Sequence, residues 1–290
     1  MEVQSRAPGK VILCGEHAVV HGSTAVAASI NLCTNINFRP ASAGSSASFC
    51  VSLCGALLAF SGAVGLQHEQ NSWFKFGKNE LELVNKWAFE GEKIIHGKPS
   101  GIDNTVSTFG EELTQIEPNV PLRMLITNTK VERNTKALVA GVSARASRHP
   151  HAMASVFAAV DSISKELSEI LQSPALDALS ISAREDKIGE LMEMNQGLLQ
   201  CMGVSHASIE DVLRTTLKYN LISKLTGAGG GGCVLTLLPT CILYFLSSEI
   251  VGKVMAELEP CGFQCFTTEV GGRGLEIFLS GSPPPPDRAF

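Results

Sequence analysis

Ser223–Cys233 reads SKLTGAGGGGC and places five glycines in the six positions 227–232, between a polar lead-in and the apolar run CVLTLL. Gly227, Gly229 and Gly232 match G-x-G-x-x-G. A dinucleotide-binding fingerprint of that form follows a strand, opens a helix and has an acidic residue about 20 positions on. Here a helical pattern precedes the glycines and a strand pattern follows, so that reading is rejected. No G-x-x-x-x-G-K-[ST] phosphate loop occurs either. A hairpin turn needs one or two glycines. Five predict backbone packed closely against a ligand or a phosphate, where a side chain would intrude. Gly229→Val is therefore expected to remove most turnover and leave the fold intact.

Outward from that stretch, SIEDVLRTTLK on its N-terminal side reads as a helix, with Ser208 and Asp211 spaced as a capping box. KIGELMEMNQGLL reads as another helix. VFAAVDSISKELSEIL sets Val156, Val160, Ile163, Leu167 and Ile170 on one helical stripe. RMLITNT, CVLTLL, QCFTTEV and GLEIFLS read as strands, so the second half is helices packed on a small sheet. The first half is mixed: short β-leaning runs come first, then an amphipathic helix over 80–96 with Leu81, Val84, Trp87, Ala88 and Ile95 on its apolar side. Two domains are expected, 1–118 and 119–282, followed by a disordered proline-rich tail at 283–290.

The formal net charge is −5 and no basic block occurs, which argues against nucleic acid as a partner. Nine cysteines, an odd number without a Cys-x-x-Cys pair, read as reduced thiols of a cytoplasmic protein. Cys261 and Cys265 lack the companions that a four-ligand metal set needs. Residues 40–68 contain no Asp, Glu, Lys or Arg, but their strongly apolar part is shorter than the ~20 residues of a membrane span. A buried core helix, without stable membrane insertion, is expected there.

Two other segments carry chemistry. In RAPGKVILCGEHAVVHG, Lys10, Glu16 and His17 fall within eight residues beside glycines, a grouping that suits a cleft lining. In FEGEKIIHGKPSGIDNTVS, Glu92 lies on the helix, and Asp103 follows in a loop that can feed a helix N-terminus, where a carboxylate stays ionised. One carboxylate of such a pair can hold Mg²⁺ while the other takes a proton.

APGKVILCGEHAVVHG, KWAFEGEKIIHGKPSGIDN and SKLTGAGGGGC together resemble the three signature motifs of the GHMP small-molecule kinases, most closely the mevalonate kinase branch in its plant form. The resemblance implies an α+β, two-domain GHMP kinase fold: a ribosomal protein S5 domain 2-like N-terminal domain, truncated here, and a ferredoxin-like C-terminal domain. It implies ATP-dependent phosphorylation of (R)-mevalonate, with Mg²⁺. Matched by motif, Asp103 takes the hydroxyl proton or orients that oxygen, and Lys10 stabilises the developing alkoxide and the γ-phosphate. Glu16, His17, Thr135, Gly227, Ala228 and Gly229 lie at substrate-gripping positions. Gly44, Ser45, Ser46 and Ala47 hold the ATP phosphates, and Ser46 and Glu92 hold the metal. A homodimer and feedback by prenyl diphosphates are further properties of the family.

The chain departs from the pattern ahead of the phosphate-binding loop. A long segment is missing between NINFRP and ASAGSSASF, and Ser42 and Ala43 replace the usual Gly-Leu. Two readings follow: an active kinase with a trimmed nucleotide domain, or a catalytically impaired relative that acts as a binding or subunit-pairing module.

Overall fold

A computed structural model describes residues 3–38, 47–61, 66–68, 74–96, 102–109, 122–174, 177–240, 244–271 and 275–279. Gly44, Ser45, Ser46 and the tail 283–290 lie outside the described residues. The chain forms two compact units that interleave along the sequence. Unit 1 comprises Met1–Lys10, Ala28–Gln115 and Gly271–Phe290; unit 2 comprises Val11–Ala27 and Ile116–Val270. Where the sequence reading drew one cut after residue 118, packing exchanges two further pieces. Val11–Ala27 joins the later residues, and the C-terminal strand joins the earlier ones.

Unit 1 is built on strands β1 (Val3–Cys14), whose first part belongs here, β2 (Val26–Phe38), β3 (Leu66–His68), β4 (Phe74–Phe76) and β9 (Glu276–Leu279). Their order is β3-β4-β9-β1-β2. GLEIFLS, expected among the strands of the second half, instead pairs antiparallel with the chain's beginning, Val3 opposite Leu279 and Arg6 opposite Glu276. Helices α1 (Ala47–Phe60), α2 (Lys78–His96) and α3 (Ile102–Phe109) pack on one another. In α1 the uncharged sequence ASFCVSLCGALLAF buries Ala47, Cys50, Val51, Ala56, Leu58 and Ala59, residues spread around the helix. A helix apolar on all sides belongs in a core, and among the described residues no helix is long and apolar enough to cross a membrane. Leu81, Val84 and Ala88 of α2 join α1 in this core. Trp87 does not: it is 49% exposed, because the residue before Ala88 lies about 100° round the helix from it.

Unit 2 carries β5 (Leu122–Asn128), β6 (Ser223–Thr226), β7 (Cys233–Leu238) and β8 (Gln264–Val270) in the order β8-β5-β7-β6. All neighbours are antiparallel, with Ile126 opposite Leu235 and Phe266, and Leu225 opposite Val234. The helices are α4 (Thr135–Arg148), α5 (Pro150–Gln172), α6 (Ala178–Met202), α7 (Ala207–Leu217) and α8 (Tyr244–Leu258). The apolar stripe of α5 buries Val160, Ile163, Leu167 and Leu171, and α6 contributes Ile188, Met192 and Leu199 to the core. Helix α7 is not capped by Ser208. His206 is its N-cap, and the ring accepts a hydrogen bond from the Ser208 backbone N–H at 3.2 Å. The helix therefore starts one residue before the expected cap, at Ala207.

Candidate active site

The glycine stretch closes a hairpin between β6 and β7, so a strand, not a helix, leads directly into it. Its five glycines have φ of +78° (Gly227), +73° (Gly229), +66° (Gly230), +121° (Gly231) and +75° (Gly232). These left-handed conformations are disfavoured for residues with a Cβ. The loop is also pressed onto its own unit. Gly230 N–H donates to the Val204 carbonyl at 2.7 Å, and Thr129 N–H donates to the Gly232 carbonyl at 2.8 Å. Arg133 Nη1 donates to the Gly231 carbonyl at 3.2 Å. A Cβ on Gly229 would lie 2.1 Å from the Val204 oxygen, and one on Gly231 would lie 2.7 Å from Val131 Cβ. The glycines are thus required by the loop's own shape, which corrects the expectation that Gly229→Val leaves the fold intact.

Glu16 and His17 stand at the end of β1, where Gly15, at φ +101°, turns the chain. A Cβ there would meet Ala25 Cα at 2.4 Å. A 3-10 turn at Ala18–His21 follows, and α5 holds this segment at several points. Asp161 accepts from Thr24 N–H at 2.7 Å, Ser23 Oγ donates to the Phe157 carbonyl at 3.1 Å, and the His21 ring stacks on Phe157 at 4.3 Å. Lys165 and the Thr24 N–H together hold the Asp161 carboxyl down at about 2.

Two cross-ties join this segment to the glycine hairpin. His17, buried and itself at φ +57°, donates from Nε2 to the Ala228 carbonyl at 2.8 Å. Burial is the main reason its pKa lies below the ordinary histidine value; the Ala228 carbonyl and Glu16 oppose it. Glu16 pairs with Lys224 of β6, and both side chains are completely buried. In sequence Lys224 belongs to a polar lead-in, and its one signal is that it sits three residues before the first glycine of the loop. Cys14, also buried, accepts from Asn195 Nδ2, and burial pushes its thiol up. Thr135, exposed, is the first residue of α4, capped by Asn134, whose side chain accepts from Ala137 N–H at 3.0 Å.

Unit 1 holds Lys10, Ala47, Glu92 and Asp103. Ala47 is the buried first residue of α1, and Glu92 is buried on α2. Glu92 lies beside Cys50, whose thiol is pushed up to about 11, by burial first and by the carboxylate second. Asp103 is the second residue of α3. That helix is tied to α2 by Asn104, whose Nδ2 donates to the Asn85 carbonyl at 3.2 Å and to Asn85 Oδ1 at 2.6 Å. Lys10 is half-buried on β1.

Residues 175–240 match the family model described as GHMP kinases C terminal. Mevalonate kinase of Arabidopsis thaliana is 46% identical over 387 residues, which covers 96% of this chain and 100% of that one. Those 387 positions exceed the 290 residues here, so the relative carries residues within the aligned span that have no counterpart in this chain. Human mevalonate kinase is 39% identical over 251 residues, 82% of this chain and 61% of that one. The fold is shared with solved structures. Leishmania major mevalonate kinase in complex with R-mevalonate has a TM-score of 0.73 at 21% identity, over 93% of this chain and 96% of that one. Methanococcus jannaschii mevalonate kinase has a TM-score of 0.66 at 19% identity, over 94% and 98%.

Proposed function

We infer, because the chain belongs to the mevalonate kinase family of GHMP kinases, that it transfers the γ-phosphoryl group of ATP to the primary hydroxyl of (R)-mevalonate. One structural observation supports carrying the family reaction to this chain. The segment bearing Glu16 and His17 and the glycine hairpin, each supplied by a signature motif, are cross-tied within one unit through Lys224 and the Ala228 carbonyl.

Each residue's part is carried over from the family motif it matches. Asp103 stands in the first turn of α3, where the helix dipole keeps a carboxylate ionised, so it serves as the anionic partner that orients the attacking hydroxyl or takes its proton as the phosphoryl group arrives. Lys10 neutralises charge that builds on the alkoxide and on the phosphoryl oxygens. Glu16 and His17 orient the substrate, and the backbone N–H groups of Gly227 and Gly229 are the donors offered to its oxygens. Thr135 supplies a hydroxyl at the start of α4 to the transferred group. Gly44, Ser45 and Ser46 precede Ala47, so the phosphate-holding segment leads into a helix N-terminus.

The donor set suits Mg²⁺. Glu92 offers a hard carboxylate, the neighbouring Cys50 thiol stays protonated, and one or two protein oxygens plus phosphate are the usual complement. Glu92 and Ser46 would hold the ion, which neutralises phosphate charge when bound. Cytoplasmic location, a homodimer and prenyl diphosphate feedback belong to the same reading and rest on the family alone. No observation among the described residues favours a non-catalytic pairing module.

The test is product identity. Incubation of the purified protein with Mg-ATP and mevalonate, followed by ³¹P NMR, is expected to show a phosphate monoester on mevalonate, while galactose and homoserine stay unmodified. A phosphorylated sugar or amino acid in place of phosphomevalonate would overturn the substrate assignment.

A further inference from the structure

Lys224 has three ammonium protons and three acceptors: Glu16 Oε1, the Leu225 carbonyl at 2.7 Å and the Ile12 carbonyl at 3.4 Å. Its neighbour on the same face of β6, Thr226, exchanges hydrogen bonds with the Ile12 backbone, 3.0 Å to N and 3.0 Å to O. The ammonium is therefore fixed at both ends of its reach, by β1 and by β6. Neither Lys224 nor Glu16 exposes any side-chain surface, and a lone charge so placed is strongly disfavoured.

The carboxylate is half satisfied. Glu16 Oε2 is buried and has no hydrogen-bond partner among the described residues. A buried polar atom without a partner calls for an explanation, and a carboxylate oxygen can only accept. The chemistry it fits is an O–H or N–H donor, and mevalonate brings hydroxyls. His17, next in the chain, is anchored to the Ala228 carbonyl, so Glu16 cannot turn away without breaking that tie.

We propose that Lys224 is the positioning residue of Glu16: it occupies one carboxylate oxygen, so that the other, left without a partner among the described residues, accepts from a hydroxyl of the substrate. The proposal rests on the mevalonate kinase reading and adds to it a residue outside the catalytic set.

The test is a double-mutant cycle with Lys224→Met, Glu16→Gln and the combination, read by thermal unfolding and by KM for mevalonate and for ATP. Each single change is expected to raise the mevalonate KM about tenfold, the worth of one hydrogen bond to a charged group. The ATP KM should stay within about twofold, and the double variant should be no worse than the poorer single one, because Lys224 acts through Glu16. A Lys224→Met protein that melts earlier with mevalonate KM unchanged, or effects that multiply in the double variant, would reduce the pair to a structural ion pair. If Lys224→Met does not fold, Lys224→Arg keeps the charge, moves the donor and gives the same comparison. Wild-type protein with neither turnover nor mevalonate-induced thermal stabilisation overturns the function reading itself, and this assignment with it.

Discussion

Gly229 lies against Val204 so closely that a Cβ at residue 229 would stand 2.1 Å from the Val204 carbonyl oxygen. The next residue, Gly230, donates its N–H to that same oxygen at 2.7 Å. The hairpin is thus held by the turn after α6, and Gly229, at φ +73°, has no space for a side chain. Gly229→Ala is expected to lose both stability and turnover. Left-handed strain alone is about 1–2 kcal/mol, the clash adds to it, and Tm should fall by at least about 2 °C. A variant with native Tm and lost activity would show that the contact with Val204 is not maintained.

Gly227 separates ligand contact from loop shape. Its φ is +78°, but a Cβ there meets only Arg133 Nη2, at 3.8 Å. Gly227→Ala should therefore cost about 1 kcal/mol of stability, and a raised mevalonate or ATP KM at nearly native Tm is the expected signature of backbone that faces a ligand. Unchanged KM values in the folded variant would assign this glycine to the turn alone.

Acid sensitivity should trace to His17. Its folded pKa lies below the ordinary value of 6.5, chiefly because it is buried. Above that value both folded and unfolded chains carry the neutral ring, and no penalty exists. As pH falls through it, the unfolded chain takes the proton first and stability drops. Asp161, held at about 2 mainly by Lys165, stays ionised throughout, so its tie to Thr24 is unaffected. His17→Asn keeps an N–H donor and tolerates the left-handed backbone at φ +57°. Between pH 7.5 and 5.5 wild-type Tm should fall further than that of the variant. Parallel losses would remove His17 from the account.

The parts of the fold that were legible in the sequence are those set by local periodicity. The stripe of α5, the helical reading of α6 and the apolar run that became α1 needed only side-chain spacing and the absence of charge. Trp87 was misplaced because a helical pattern tolerates an aromatic at the edge of its stripe. His206 was passed over as a cap because the Ser208/Asp211 spacing matched a commoner device. The pairing of β9 with β1 is nonlocal, and nothing within GLEIFLS states which strand it will meet. Of the candidate site, Glu16, His17 and the glycines were visible as motif residues. Lys224 was not, because a lysine in a polar lead-in looks solvated until the fold buries it. The glycines' structural task was hidden for the same reason: Val204 lies 25 residues from Gly229 in sequence.

Mevalonate-dependent ADP release by wild-type protein and by Asp103→Asn separates a working kinase from an inactive relative. Release is expected to require both mevalonate and Mg-ATP, with a fall in kcat of about 10²–10⁴-fold in the variant at unchanged Tm. Wild-type protein that is folded and monodisperse yet releases no ADP, or a variant as active as wild type, would contradict that expectation.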